Sequence, residues 1–383
     1  MRNLSLMFAM IRAAILNRNS FAILAFASAF YLLFYAWPYA NQLIIEIPTA
    51  IVDMDKSEKS REWIETIDAT PAAKVVSISP SLDLAKEQFK RGDVDVIVVL
   101  PKDLARDTLR GMPTAITVFA NGVYPVKGRA VGSAVTLIAA QENVKLTASQ
   151  LVRHGMDPVK TKVMAILPPN FVSQDLFNPI SGYGLYTVSV VATIILQAIM
   201  LFGTCIVFGG WLADGKTNPF IRALVEEPSK LFVVIGAFLT IGLFWGFFVE
   251  GMGLSLLDMP TFLNPLTTSI SIIFFMLSII CLGVMLSLLM GNNHYAAMLC
   301  VIASAPCVFL TGMIFPLDNA PSWVVAIAQL MPTTPGANAL VAASQEGASV
   351  REILPYLGVL TAQIVVYGGL AWWLLNRYRQ RNE

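Results

Sequence analysis

The stretch Tyr186-Thr187-Val188-Ser189-Val190-Val191-Ala192-Thr193-Ile194-Ile195-Leu196-Gln197-Ala198-Ile199-Met200-Leu201-Phe202-Gly203-Thr204-Cys205-Ile206-Val207-Phe208-Gly209-Gly210-Trp211-Leu212 contains no charged side chain. A helix needs about 20 mainly apolar residues to cross the hydrocarbon core of a bilayer, so this run is long enough to span one. Working outward, Asn19–Ile45 is also uncharged and holds a first span at Phe21–Trp37. Leu231–Leu257 is a third span, interrupted only by Glu250. Met259–Leu317 is too long for one helix, and Gly291-Asn292-Asn293-His294 divides it into a fourth and a fifth. Ile353–Asn376 is the sixth.

The composition agrees. Of 383 residues, 56% are hydrophobic and 13% charged, against about 25% charged in an ordinary soluble domain. That excludes a typical soluble enzyme and a disordered chain. A net charge of +1 supplies no basic field for nucleic acid. Cys205, Cys281, Cys300 and Cys307 lie in apolar stretches and are not spaced as metal ligands, so no metal site is expected.

Charge is segregated. Residues 41–183 hold 16 of the 26 Lys and Arg and 16 of the 25 Asp and Glu. Short cytoplasmic loops collect Lys and Arg. Arg2, Arg12 and Arg18 precede the first span, Lys216, Arg222 and Lys230 follow the second, and Arg377, Arg379 and Arg381 follow the last; Arg351 alone opposes. This places both termini in the cytoplasm and residues 41–183 outside. The expected fold is an α-helical membrane protein of six transmembrane helices with an α/β extracytoplasmic domain inserted between the first and second. Its parts are a cytoplasmic interfacial helix (1–18), a first span (19–40), the outer domain (41–183), a five-helix domain (184–377) and a basic cytoplasmic tail (378–383). The first span reads as an uncleaved anchor, because its flank is long and Ala36-Trp37-Pro38 is a poor cleavage site. In the segment before it, Leu4, Phe8, Ile11 and Ile15 form one stripe and Leu6, Met10 and Ala13 the opposite face. That pattern suggests a helix lying at the interface against the bundle.

Within the outer domain strands alternate with helices, the pattern of an α/β layer structure. Strands are expected at Pro48–Asp53, Lys74–Ile78, Val94–Leu100, Ala115–Phe119 and Lys162–Leu167. Helices are expected at Ser57–Ile67, Leu82–Arg91, Asp103–Leu109 and Val126–Arg153. Asp53 and Asp55 invite a metal or catalytic reading, but Asp55 followed three residues later by Glu58 reads better as a helix cap. Asp93 and Asp95 alternate with Val94 and Val96 as a solvated face. His154 and His294 are the whole histidine complement, which argues against a histidine dyad or zinc site.

Gly210-Trp211-Leu212-Ala213-Asp214-Gly215-Lys216-Thr217 fits the pattern G-x-x-x-x-G-K-[ST]. A phosphate cradle needs a strand before that loop and a helix behind it. Here a membrane helix precedes it and Asn218-Pro219 follows, so the match reads as chance. Glu250 is the one carboxylate well inside a span. An intramembrane ionisable group is costly and points to function; alternatively Gly251 and Gly253 bring the helix to its outer end and Glu250 reaches interfacial water. Gly242-x-x-x-Gly246 permits close helix packing. Pro306 and Pro316 would bend the fifth span, and the proline-broken, largely uncharged stretch 316–335 suggests an external re-entrant segment.

These features resemble the ABC type-2 transporter permease family. Val52-Asp53-Met54-Asp55-Lys56-Ser57 with Ser60-Arg61 is similar to the strand-to-helix start of that family's external domain. Asn178-Pro179 and Gln197 fit the approach to and interior of its second span. Asp214-Gly215-Lys216-Thr217 and Ala223-Leu224-Val225-Glu226-Glu227-Pro228 resemble the segment after that span. Gly312-Met313-Ile314-Phe315-Pro316-Leu317, Pro321-Ser322-Trp323 and Leu330-Met331-Pro332 resemble its region before the last span. The family often has Arg-Glu ahead of the Gly-Thr; Leu212-Ala213-Asp214 stands here and passes the acidic role to Asp214.

The resemblance implies a non-enzymatic exporter permease of the bacterial inner membrane, a homodimer or heterodimer working with a separate ATP-binding-cassette ATPase subunit that uses the ATP and Mg. In that reading Asp214, Gly215, Thr217, Arg222, Glu226, Glu227 and Pro228, in the loop 213–230, form the ATPase-coupling contact. Glu250, Gln197 and Pro316 belong to the translocation pathway. The helix Val126–Arg153 would reach a periplasmic adaptor protein. The cargo would be hydrophobic or amphiphilic, such as a drug-like compound or lipid. Two other readings stay open: a membrane scaffold or receptor whose outer domain binds a partner, and an ion-coupled carrier.

Overall fold

The computed structural model describes residues 3–17, 20–31, 34–35, 37, 44–110, 112, 114–122, 125–153, 183–256, 259–291, 308–313 and 316–382. The chain divides into two compact units, Leu43–Ser181 and Met1–Gln42 with Gly182–Glu383. The second begins with α1 (Asn3–Ile15) and α2 (Phe21–Tyr31). In α1 the buried residues are Leu6, Met10 and Ala14, while Leu4 and Phe8 are exposed. The face laid on the bundle is therefore not the Leu4–Phe8 stripe. Leu6, Met10 and Ala14 make that contact, with Ile11, Ala13 and Ile15 partly buried beside them.

In the unit Leu43–Ser181, β1 (Ile47–Asp53), α3 (Glu58–Asp68), β2 (Ala73–Ser79), α4 (Leu82–Arg91), β3 (Val96–Leu100), α5 (Leu104–Arg110), β4 (Thr117–Ala120) and α6 (Pro125–Arg153) follow in order. The sheet order is β2-β1-β3-β4, with β1 parallel to β2 and β3, and β4 antiparallel to β3. The all-apolar β3 (Val-Ile-Val-Val-Leu) is buried at every position, as a strand covered on both faces requires. On one face Ile51, Val96 and Val98 pack with Trp63 and Ile67 of α3, Leu104 of α5, and Val131, Val135 and Ile138 of α6. On the other, Ala50, Val52 and Ile97 pack with Ala85 of α4. Gly92 closes α4 at φ +82°, a left-handed turn that glycine adopts without a Cβ penalty.

The start of α3 departs from expectation. Ser57, not Asp55, is its N-cap, and Ser57 and Ser60 form a reciprocal capping box. Asp55 is instead a bridge, its Oδ2 accepting from Ser57 Oγ (2.5 Å) and from the Ala105 backbone N–H at the start of α5 (3.0 Å). A serine at the cap leaves this carboxylate to serve a second helix terminus. The expected strand at Lys162–Leu167, and His154, lie outside the described residues.

The membrane unit continues with α7 (Tyr183–Asp214), α8 (Pro219–Glu226), α9 (Leu231–Phe247), α10 (Pro265–Met290), α11 (Ser322–Ala328), α12 (Thr333–Ser344) and α13 (Val350–Asn382). Among the described residues four helical stretches are long and apolar enough to cross a bilayer: Thr187–Thr217, Pro228–Gly253, Pro265–Met290 and Val350–Arg381. These correspond to the expected second, third, fourth and sixth spans. Most of the expected fifth falls on 292–307, outside the described residues, and the first is described as helix at Phe21–Tyr31.

α10 is the centre of the bundle, packed by α7, α9, α12 and α13. Glycines bring the helices together: a Cβ on Gly246 would stand 2.7 Å from Ile272 Cγ2, and one on Gly336 2.3 Å from the Phe275 ring. Tyr31 Oη donates to the Val188 carbonyl (2.9 Å) and Trp245 Nε1 to the Leu24 carbonyl (2.6 Å), which fasten α2 to α7 and α9. α11 and α12 are bent by 77°. The second arm runs to Ser344, well past the expected end at 335, because Pro332 and Pro335 occupy the first turn, where a missing N–H costs no helical hydrogen bond.

Candidate functional site

The loop between α7 and α9 folds into a small docked unit. α7 ends at Asp214, and Gly215 enters the next turn at φ +58°. The Thr217 hydroxyl donates to the Asp214 carbonyl (2.5 Å) and Asn218 Nδ2 to the Asp214 carboxylate (3.3 Å). Asn218 then caps α8, its Oδ1 accepting from the Phe220 N–H (3.0 Å), with Pro219 at the first helical position. The pair that interrupts the phosphate-loop pattern is thus a helix start. That pattern does not become a strand–loop–helix, because Gly210–Asp214 are the last residues of α7.

α8 has two faces. Ile221, Leu224 and Val225 are buried, and Phe220 lies 4.7 Å from the Trp211 ring. Asp214, Lys216, Thr217, Arg222, Glu226 and Glu227 are exposed. Arg222 Nε donates to the Lys216 carbonyl (3.3 Å). Glu227 accepts from Ser229 Oγ and pairs with Lys230 (3.3 Å), and the two hold its carboxyl below the usual carboxylate range. Pro228 opens the last turn before α9. The result is a short helix with an apolar underside and a charged upper face, joined by short turns to α7 and α9. Sequence reading did not find Tyr378, whose hydroxyl lies 3.5 Å from the Leu212 carbonyl and brings α13 to the same corner.

The three expected pathway residues differ in burial and in partners. Glu250 is buried, 2% exposed, in a π-helical turn, Phe248–Gly253, that continues α9, and its Oε1 has no hydrogen-bond partner. The helix does not end at Gly251 but runs on through the π turn to Ser255. Gln197 is buried, and its Oε1 accepts from the Thr333 N–H (2.8 Å), satisfying the start of α12 inside the bundle. Pro316 is exposed and precedes a short 3-10 turn, Leu317–Asn319. The neighbouring polar set was not read from sequence: Gln345 donates to Ser189, Ser278 to Gln363 (2.7 Å), and Gln363 to the Gln329 carbonyl (2.8 Å). Its signal was there, in amides placed within apolar runs.

In the unit Leu43–Ser181, Asp53 Oδ1 accepts from the backbone N–H groups of Asp55 (3.1 Å) and Lys56 (2.9 Å), and Oδ2 from Ser60 Oγ (2.8 Å). Asp95 pairs with Lys127 (2.8 Å) and Asp93 with Arg91 (3.1 Å). These carboxylates are spent on turns, caps and ion pairs.

The profile of the family described as ABC-2 family transporter protein matches residues 20–373. No curated protein sequence matches the chain.

Proposed function

The chain belongs to the ABC-2 transporter family, a multi-pass membrane permease that associates with an ATP-binding-cassette subunit, and from that premise we propose an exporter. In this reading a dimer, of this chain or of this chain with a related permease, moves a hydrophobic or amphiphilic compound out of the cytoplasm or inner membrane. The partner subunit binds and hydrolyses the ATP with its Mg. Both termini and the loop 213–230 face the cytoplasm of a bacterial cell.

The two-faced helix α8 carries the proposal. Its apolar side is buried against the bundle, while Asp214, Arg222, Glu226 and Glu227 stand exposed beside it. Gly215, Thr217 and Pro228 supply the turns that join this face to α7 and α9. Displacement of the ATPase then moves two spans at once, and the route between them passes Glu250, Gln197 and Pro316. A periplasmic adaptor docks on the part of α6 beyond Glu142, since Val131, Val135 and Ile138 of its first half belong to the core.

Purification from the native membrane in mild detergent tests this. A cassette ATPase should co-purify and hydrolyse ATP, and Asp214→Ala with Arg222→Ala should release it. A complex that survives those substitutions moves the contact away from α8. Without any ATPase in the preparation, a scaffold or receptor becomes the better reading.

A further inference from the structure

From Leu231 to Val350 the sequence contains no lysine or arginine, yet it contains Glu250. The buried polar side chains of the described residues likewise include no Lys, Arg or His. An ionised carboxylate out of water needs either a cation or several donors. The surroundings of Glu250 follow from helix register. A Cβ on Gly242 would lie 3.3 Å from Met276 Sδ, and one on Gly246 2.7 Å from Ile272 Cγ2, so α9 runs antiparallel to α10. Past Gly246 the chain therefore runs toward the start of α10, and the π turn that holds Glu250 packs on α7.

That end of α10 buries Thr267, Thr268 and Ser271, and α7, which also packs on the π turn, buries Ser189 and Thr193. Most of these hydroxyls have already given their protons to carbonyls of their own helices: Thr193 to Ser189, Thr268 to Asn264, Ser271 to Thr267. Their oxygens remain as acceptors. Thr267 Oγ1 has no partner, and neither has one carboxylate oxygen of Glu250. A π turn, a geometry that recurs at functional sites, holds that carboxylate.

We propose that Glu250 anchors a binding site for a protonated amine on an amphiphilic molecule. The ammonium donates to the Glu250 carboxylate and to neighbouring hydroxyl oxygens, and the apolar body remains among the surrounding side chains. As a statement about cargo this rests on the export reading; as a statement about binding it does not.

The test uses the permease–ATPase complex in phosphatidylcholine nanodiscs, with a dansyl-labelled primary alkylamine and its N-acetylated counterpart as probes. The amine should bind about tenfold tighter or more, the worth of one charge-assisted hydrogen bond. Glu250→Gln, which keeps the shape and removes the charge, should abolish that preference. Equal binding of the two probes to the wild-type complex overturns the site without recourse to any variant, and so does a preference that survives Glu250→Gln. Competition with phosphatidylethanolamine distinguishes the sources of the ammonium. Displacement of the probe supports the site with an aminolipid as its ligand, and retention of the probe supports it with a free amine. ATP hydrolysis by a complex that binds both probes equally leaves the exporter standing and removes only the amine site. Absence of the ATPase subunit removes the exporter, and the probe comparison on the permease alone still decides the site.

Discussion

Glu142 and Glu250 are both helical carboxylates with little exposure, 9% and 2%, and they lie in different units of the chain. Glu142, on α6, is held by Lys59 at 2.5 Å and Lys145 at 2.8 Å. Burial pushes its carboxyl up, but the hydrogen bonds and charges of the two lysines outweigh that and leave it below the usual carboxylate range. Lys59 responds in the other sense: burial lowers it, Glu142 and Glu62 more than compensate, and it ends raised. Glu250 has an oxygen with no partner. The α/β unit balances its buried charge within the chain, on a surface where lysine stems can run out to water. Among the described residues of the bundle no lysine, arginine or histidine is buried, so none of them balances an ionised Glu250.

This contrast can be broken in several places. The largest effect, and opposite in sign to the others, is expected for Glu250→Met. Removing a buried, unpaired acid should raise thermal stability of the solubilised protein by about 1–4 kcal/mol while abolishing preference for the amine probe. A lower melting temperature would mean that Glu250 is structurally paired. Gln197→Leu should cost about 1–3 kcal/mol, because it strips the Thr333 N–H of its acceptor inside the bundle; faster hydrogen exchange along α12 would report it.

Glu142→Ala should cost about 1–2 kcal/mol, less than a fully buried pair, since Lys59 retains Glu62 and some water. Its folded carboxyl titrates below the unfolded one, so the pair's contribution is complete above the unfolded value and is lost as pH falls through the folded value. Acid titration followed by hydrogen exchange in α3 and α6 should therefore show a loss that the Glu142→Ala variant lacks. The smallest effect is expected for Ser57→Ala, about 1 kcal/mol from the lost cap, visible as fraying of the first turn of α3. No change there would return the capping role to Asp55.

Much of the α/β unit was legible, because strand and helix periods alternate cleanly and Ser81 and Gly92 punctuate α4 at its two ends. The long apolar runs likewise gave α7, α9, α10 and α13. Illegible features were those in which two local signals compete. Asp55 and Ser57 both suit a cap, and only the distant Ala105 N–H decides which of them takes that role. Gly251 and Gly253 suggest a helix end, yet packing carries the chain onward as a π turn. On α1 both faces are apolar, and only the partner helix selects Leu6, Met10 and Ala14. The loop 213–230 was legible as a charged segment, but its helix was hidden by reading Asn218-Pro219 as a break.

The bent pair α11–α12 has a consequence for the order in which the chain is completed. Backbone groups at the bend depend on distant acceptors and donors. Gln197 receives the Thr333 N–H, Gln363 donates to the Gln329 carbonyl, and Tyr367 donates to that of Leu330 (2.6 Å). Two of those three lie on α13, which the ribosome makes after the bend. The bend therefore completes its hydrogen bonds only once α13 is in place.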